Sequence, residues 1–174
     1  TLVSIENVIG SAHADTFKGN NSVANTFNGG TTDLSNPNAE QSSDENDKVD
    51  YSDSSNPIVA NLTSGTVTIG GSVTDTLYNI EHITGTTGDD SFTGNADNNS
   101  LVGGSGNDTF FINDVNNGND VIEGDTNAAN DGLRDRIDYS SITNTYYLDA
   151  NLSSNSLVIK QTSDDTSVDT DTVN

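Results

Sequence analysis

Residues 85–111 read GTTGDDSFT, GNADNNSLV and GGSGNDTFF, which are three consecutive stretches of nine residues. Each stretch begins with glycine, carries Asp or Asn at its sixth position and Phe or Leu at its eighth. Glycine allows turns that need positive φ, and the apolar eighth residue can point between stacked strands. The pattern therefore predicts a turn followed by a short strand, repeated through an all-β architecture of stacked strands.

The same pattern suggests a metal site at the turns. If successive strands alternate between two sheets, Gly88 and Asp90 lie beside Gly106 and Asp108, which follow 18 residues later. Main-chain carbonyls and carboxylates would then form an all-oxygen environment, which suits Ca²⁺ better than Mg²⁺. The alternative is that Asp and Asn serve only as turn formers.

Composition narrows the possible partners. The chain has 174 residues, with 27 acidic and five basic side chains, a formal net charge of −22 and no cysteine. So acidic a chain lacks the basic patch that nucleic acid or an anionic membrane surface requires, and no apolar run is long enough to insert into a membrane. Only 30% of the residues are hydrophobic. We therefore expect that the chain folds only when a cation neutralises part of its charge.

The chain also matches itself. TLVSIENVIGSAHADTFKGN at residues 1–20 aligns with TLYNIEHITGTTGDDSFTGN at residues 76–95, an offset of 75. NDKVDYS at residues 46–52 aligns with RDRIDYS at residues 134–140, and ANL recurs at residues 60–62 and 150–152. These matches predict two solenoid units within one continuous domain, at residues 1–75 and 76–174.

The ends of the chain fit a longer array. Joining the last residues to the first gives DTVNTLVSIE, which is similar to the internal junction DTLYNIE. Repeats in a solenoid cover the open edges of their neighbours. We therefore expect such domains to stack head to tail, within one long chain or between protomers.

GGSGNDTFF at residues 103–111 resembles the GGxGxDxUx repeat of the RTX, or hemolysin-type calcium-binding, family, in which U is a large apolar residue. The two preceding stretches of nine resemble degenerate forms of that repeat. The resemblance implies an all-β parallel β-roll or β-helix, a solenoid with long loop inserts and with several Ca²⁺ ions bound between its nonapeptide turns. It also implies export by a type I secretion apparatus and folding outside the cell, so the expected location is extracellular or at the bacterial cell surface.

The candidate ligands belong to three groups of turns. In the first unit, Asp47 is expected to pair with Asp15 across a long insert. In the second unit, the turn that contains Asp114 and Asp120 is expected to share an edge with the turn at residues 95–99. The full set of predicted metal ligands is Asp15, Asp47, Thr86, Gly88, Asp90, Asn95, Asp97, Asn99, Gly104, Gly106, Asp108, Asp114 and Asp120.

Two functions remain open. The first is a calcium-dependent structural or adhesive repeat of a secreted or surface protein. The second is an accessory module of a secreted protease, lipase or alginate epimerase that aids export or binds polysaccharide. Catalysis by this chain is not expected, because neither His13 nor His82 lies in a nucleophile elbow or an HExxH motif. The equivalent Glu6 and Glu81 are expected to be structural.

Overall fold

The computed structural model describes residues 5–11, 13–19, 22–30, 46–113, 118–125, 134–142, 146–151, 156–161 and 167–173. In these residues every regular element is a β-strand and no helix occurs. The strands are β1 (Asn7–Ile9), β2 (Thr16–Lys18), β3 (Thr26–Asn28), β4 (Lys48–Asp50), β5 (Ile58–Asn61), β6 (Thr66–Ile69), β7 (Val73–Tyr78), β8 (His82–Thr84), β9 (Ser91–Thr93), β10 (Ser100–Gly104), β11 (Thr109–Phe111), β12 (Val121–Asp125), β13 (Arg136–Asp138), β14 (Tyr146–Asn151), β15 (Ser156–Gln161) and β16 (Ser167–Val173). The all-β prediction is confirmed.

The strands form two eight-stranded sheets. The first sheet has the order β1-β3-β7-β6-β5-β9-β11-β13, and the second has the order β14-β15-β16-β12-β10-β8-β4-β2. From β8 to β13 successive strands alternate between the sheets, and each pairs in parallel with the strand two places away in sequence. The chain therefore changes sheet at every short turn in this region.

Both sheets are mixed, whereas the sequence predicts a parallel roll. Strands β5, β6 and β7 pair antiparallel in the first sheet, and β14, β15 and β16 do so in the second. The connection from β6 to β7 explains one of these reversals, because Gly70 and Gly71 have φ of 56° and 73°. Two consecutive residues with positive φ form a tight hairpin, which returns the chain to the same sheet.

The hydrophobic core lies between the sheets and is built from the apolar residue of each short strand. Phe92, Leu101 and Phe110, the eighth residues of the three nonapeptides, are each at most 1% exposed. Phe92 and Phe110 are register partners on β9 and β11, and their rings stack with centroids 5.0 Å apart. A narrow core of this kind fixes the register of the strands, and the strands in turn fix the position of the turns at the sheet edges.

Candidate calcium sites

The residue that precedes each short strand is acidic or an asparagine. At the N-terminal ends of the strands these residues form ladders, in which a side chain accepts a hydrogen bond from the backbone N–H of the corresponding residue before the neighbouring strand. Asp108 Oδ1 accepts the backbone N–H of Asp90 at 2.8 Å, and Asp135 Oδ1 accepts the backbone N–H of Asp108 at 2.9 Å. Asp90 Oδ1 in turn accepts the N–H of Ile58 at 2.7 Å. Each carboxylate is thus held against the turn of the neighbouring strand by a charge-assisted hydrogen bond.

The two turns that the sequence pairs are stacked directly on each other. Gly104 and Gly106 have φ of 110° and 128°, so both adopt a conformation that L-residues with side chains rarely enter. A Cβ on Gly104 would lie 2.3 Å from Thr86 O, and a Cβ on Gly106 would lie 2.4 Å from Gly88 O. The carbonyl oxygens of the earlier turn therefore face the glycines of the later turn with no room for a side chain between them.

Asp108 is the carboxylate in these stacked turns that lacks a full set of partners. Its side chain is 1% exposed, and no described group donates a hydrogen bond to its Oδ2. Burial, together with the nearby carboxylates of Asp90 and Asp135, raises the pKa of Asp108 to about 7. An ionised carboxylate in this position needs a compensating positive charge.

Asp90 differs from Asp108 because its neighbours already satisfy it. Its Oδ2 accepts the backbone N–H of Thr86 at 2.6 Å, and the Thr86 hydroxyl lies 2.9 Å from Oδ1 and 3.0 Å from Oδ2. Burial still raises the pKa of Asp90. The predicted pair Asp90 and Asp108 is therefore brought together, with the unsatisfied oxygen on Asp108.

A cation at the stacked turns would depend on main-chain oxygens as well as carboxylates. In the part of the chain that the structure describes, no three acidic or histidine side chains gather into one possible metal site. The oxygens of these turns include Asp108 Oδ2, which accepts no hydrogen bond from the described residues, and the carbonyls of Thr86 and Gly88, of which that of Thr86 accepts the N–H of Ser105 at 3.3 Å. Carboxylate and carbonyl oxygens are ligands that Ca²⁺ accepts, whereas transition metals favour nitrogen and sulfur. The residues present fit calcium.

The predicted pair Asp15 and Asp47 is also brought together. Asp47 is 3% exposed, and its Oδ1 accepts the backbone N–H of Asp15 at 2.7 Å. The backbone N–H of Asp47 donates to Oε2 of Glu81 at 3.0 Å. Glu81, which is 1% exposed, therefore takes the ladder position that an aspartate holds elsewhere. Sequence reasoning gave Glu81 a structural role but did not place it in this ladder.

The third predicted group lies in the turns that precede β10 and β12, at the N-terminal ends of these two neighbouring strands of the second sheet. Asn99 Oδ1 accepts the N–H of Asn95 at 2.9 Å, and the N–H of Asn99 donates to Asp120 Oδ1 at 3.0 Å. A Cβ on Gly118 would lie 2.2 Å from Asp97 O, so these two turns are stacked as well. The amide of Asn99 here replaces a carboxylate, which lowers the negative charge of this turn.

At one ladder position a protein side chain supplies the donor to the second carboxylate oxygen. Asp75 is fully buried, and its Oδ1 accepts the N–H of Asn25 at 2.7 Å. Its Oδ2 accepts the hydroxyl hydrogen of Tyr51 at 2.8 Å. Burial raises the pKa of Asp75, and burial together with the charge of Asp75 raises the pKa of Tyr51. The tyrosine hydroxyl thus supplies the donor that Asp108 Oδ2 lacks.

Sequence reasoning missed Asp75 and Asp135 in these ladders. Asp135 could have been found, because it precedes the RID strand just as Asp47 precedes KVD in the matching unit. Asp75 could also have been found, because GGSVTDTLY at residues 70–78 begins with glycine and carries Asp75 at its sixth position and Leu77 at its eighth, as the three later nonapeptides do. Asp114, a predicted ligand, lies outside the described residues.

Comparison with known families supports this assignment for part of the chain. Residues 69–110 match the model of the RTX calcium-binding nonapeptide repeat, in four copies. This segment spans both stacked turns around Asp90 and Asp108, and RTX nonapeptide repeats bind calcium. The resemblance seen in the sequence is therefore confirmed for these residues. The chain matches no curated protein. Among the described residues, no helix is long and apolar enough to cross a membrane.

Proposed function

We propose that the chain is a calcium-dependent structural repeat domain of a secreted or cell-surface protein. The observation that carries the proposal is the buried Oδ2 of Asp108, which has no donor among the described residues and lies in a segment of RTX repeats. A cation at this position would remove the cost of burying an unpaired charge. Protein groups alone leave that cost in place.

Calcium would be held first at the stacked turns of residues 85–90 and 103–108. Asp108 would supply a carboxylate oxygen, and Thr86 and Gly88 would supply carbonyl oxygens. The ion would neutralise the carboxylates that raise the pKa of Asp108. Asp47 with Asp15, and Asp120 with Asn99, offer further places for ions, because they repeat the same ladder at other turns.

The proposed architecture is a β-roll in which these turns form the edges. Strands that alternate between the sheets and pair in parallel support it from β8 to β13. In such a roll every ion would join two turns that are adjacent in space but far apart in sequence. Binding would therefore stabilise long-range strand pairing, which costs the most chain entropy to form.

The net charge of the chain predicts in which direction calcium shifts the folding equilibrium. At a net charge of −22, carboxylates repel one another, and this repulsion opposes compaction when no cation is present. Where free Ca²⁺ is scarce, as in a cytosol, the chain would stay unfolded and competent for export. Where Ca²⁺ is abundant, binding to the native state would supply the folding free energy.

We assign no catalytic role to the described residues. His82 Nδ1 accepts the backbone N–H of Ser100 at 3.0 Å, and its Nε2 lies 3.2 Å from Asn46 Oδ1. Burial lowers the pKa of His82, which favours the neutral ring that these contacts need. His82 therefore has a structural role, because its ring contacts Ser100 at the start of β10 on one side and Asn46 on the other.

Circular dichroism tests the proposed function. In EDTA we expect a coil spectrum, and on addition of Ca²⁺ in the roughly millimolar range of extracellular modules we expect a β-strand spectrum. Mg²⁺ at equal concentration should be a poor substitute, because it retains its water and needs regular octahedral geometry. A strand spectrum that is the same in EDTA and in Ca²⁺ would contradict the proposal.

A further inference from the structure

Among the described residues, the outermost strands of the two sheets each leave one side without a partner strand. In the described part of the chain, β1 and β13 are the outermost strands of the first sheet, and β2 and β14 are the outermost strands of the second. Each of these four strands pairs with one neighbour. An unpaired strand edge is a template for another strand. β1 and β2 lie at one end of the domain, and β13 and β14 lie at the other.

Two strand pairings in the middle of the domain show how strands of this kind pair with each other. Strand β4 pairs in parallel with β8 in the register Lys48↔His82 and Val49↔Ile83. Strand β5 pairs in parallel with β9. These two pairings join the part of each sheet formed by residues up to 78 to the part formed by residues from 82 onward.

The internal sequence match relates the strands of this junction to the outermost strands of the two sheets. Strand β13 corresponds to β4, because RDRIDYS aligns with NDKVDYS, and β1 corresponds to β8 at the offset of 75. In the same way β14 corresponds to β5 through the shared ANL, and β2 corresponds to β9. The partners fall in matching sheets, since β13 and β1 are both in the first sheet and β14 and β2 are both in the second.

We propose that a second copy of this chain binds through these edges, with β13 of one copy pairing in parallel with β1 of the next and β14 with β2. The register follows from the internal junction as Arg136↔Asn7, Ile137↔Val8 and Asp138↔Ile9. The interaction rests on the proposed function in one respect, because calcium must first fold the edges that meet.

Exposure of apolar surface at the open end supports this partner. Ile5 is 52% exposed, whereas Ile80, its equivalent at the internal junction, is 4% exposed. Val8 is partly buried at the open edge, whereas its equivalent Ile83 is 1% exposed. The open end therefore presents apolar side chains at the same positions that the internal junction covers. Covering them with an equivalent surface would recover hydrophobic free energy.

The ladder of carboxylates also has residues at the two ends of the domain that are exposed, whereas their equivalents at the internal junction are buried. At the internal junction the backbone N–H of Asp47 donates to Glu81, and both residues are buried. Their equivalents Asp135 and Glu6 are both exposed, at opposite ends of the domain. Stacking of two copies would place the N–H of Asp135 in one copy against the carboxylate of Glu6 in the other. The ladder would then run on across the boundary between copies.

Charge sets the conditions for this association. Two copies that each carry a formal charge of −22 repel each other until cations neutralise them. Assembly should therefore strengthen with calcium, and at constant calcium it should strengthen with ionic strength. The dependence on ionic strength separates the repulsion between copies from the folding of each copy.

Cysteine pairs test the register directly, because the natural chain has no cysteine. We expect Asn7→Cys and Arg136→Cys, mixed as separate proteins in Ca²⁺ under mild oxidation, to form a disulfide-linked heterodimer. The two positions face each other in the proposed register, at the roughly 5 Å spacing of neighbouring strands, which a disulfide can span. The matched control is Asn7→Cys with Asp138→Cys, which shifts the pair by two residues along β13. Equal yield from both pairs, or no heterodimer from the first pair, would overturn the proposal.

Analytical ultracentrifugation tests the apolar contact. In Ca²⁺ the natural chain should associate as its concentration rises, and Ile5→Lys should weaken association about tenfold or more. Val59→Lys is the control, because Val59 is 59% exposed but lies on β5 within the first sheet, away from both ends. A chain that folds in Ca²⁺ and stays monomeric would overturn the interface and leave the proposed function intact. Association that Ile5→Lys abolishes equally in EDTA and in Ca²⁺ would support the interface and contradict calcium-dependent folding.

Discussion

Replacing Asp108 with asparagine should change the stability of the domain in opposite directions with and without calcium. The asparagine Oδ1 can still accept the N–H of Asp90, so the ladder bond at 2.8 Å is retained. The substitution removes the negative charge from the oxygen that lacks a donor. Without calcium the variant should be the more stable protein, and with calcium it should be the less stable one.

The magnitude follows from the pKa of Asp108. Burial and neighbouring carboxylates raise it from 3.8 to about 7, a difference of roughly three pKa units at about 1.4 kcal/mol each. At about pH 8 the folded, metal-free protein therefore carries an ionisation penalty of the order of 4 kcal/mol, which Asp108→Asn avoids. In Ca²⁺ the natural chain gains the binding free energy of the ion, and the variant loses the carboxylate that would bind it.

The assay is urea unfolding followed by circular dichroism, in EDTA with a stabilising osmolyte and in saturating Ca²⁺. Asp89→Asn is the matched control, because Asp89 lies in the turn stacked on that of Asp108 and is exposed, and its Oδ1 accepts the N–H of Asn107 at 2.8 Å. The control removes the same charge and should change stability little in either condition. If Asp108→Asn is less stable than the natural chain in EDTA, the reasoning from the buried unpaired oxygen is refuted.

The same carboxyl predicts how pH acts. The pKa of Asp108 in the folded, metal-free state lies above its unfolded value of 3.8. Its penalty is therefore absent below about pH 4 and grows as pH rises through about 7, so the metal-free protein should be more stable in acid. Calcium must displace the proton, so its apparent affinity should fall below about pH 7, by up to about tenfold per pH unit for one proton. A calcium midpoint that does not change between about pH 5 and pH 8 would contradict this assignment.

Further predictions concern the turns, the buried tyrosine and the ion. Gly106→Ala should destabilise the domain by several kcal/mol, against about 1–2 kcal/mol for Gly71→Ala. Both glycines have positive φ, but of these two positions only a Cβ at Gly106 meets a carbonyl oxygen. Equal losses of stability in urea unfolding would show that the turns are not tightly stacked. Tyr51→Phe should cost about 1–3 kcal/mol, because it leaves Asp75 Oδ2 without its donor, whereas Tyr78→Phe should be nearly neutral; thermal unfolding of the two variants measures the difference, and a loss no larger than that of Tyr78→Phe would refute it. Replacement of Ca²⁺ by Mg²⁺ at equal concentration should lower the midpoint of thermal unfolding, and equal midpoints would argue against an all-oxygen calcium site.

Much of the fold could be predicted where the repeat is regular. The sixth and eighth positions of the nonapeptides gave both the buried ladder residue and the core residue, as at Asp108 and Phe110. Those positions are readable because the same physical demand recurs at a fixed spacing. The pairing of Asp15 with Asp47 was predictable for the same reason, since both precede a short strand in matching turns.

The remainder could not be read from the repeat, because it depends on single contacts outside it. The antiparallel reversal of β6 and β7 depends on two adjacent glycines in positive φ, and glycines occur throughout the chain. The bond from Tyr51 to Asp75 joins residues 24 positions apart, and no local pattern indicates it. The difference between Asp90 and Asp108 arises from Thr86, which satisfies one carboxylate and leaves the other unsatisfied.

A calcium titration of the natural chain, with circular dichroism and isothermal titration calorimetry on the same sample, tests the central claim most directly. We expect the strand signal to appear as calcium binds, with both measurements sharing one midpoint, because binding supplies the folding free energy. We also expect EDTA to reverse the change. Binding heat with no change in strand content, or a strand signal already complete in EDTA, would contradict the claim that calcium folds this domain.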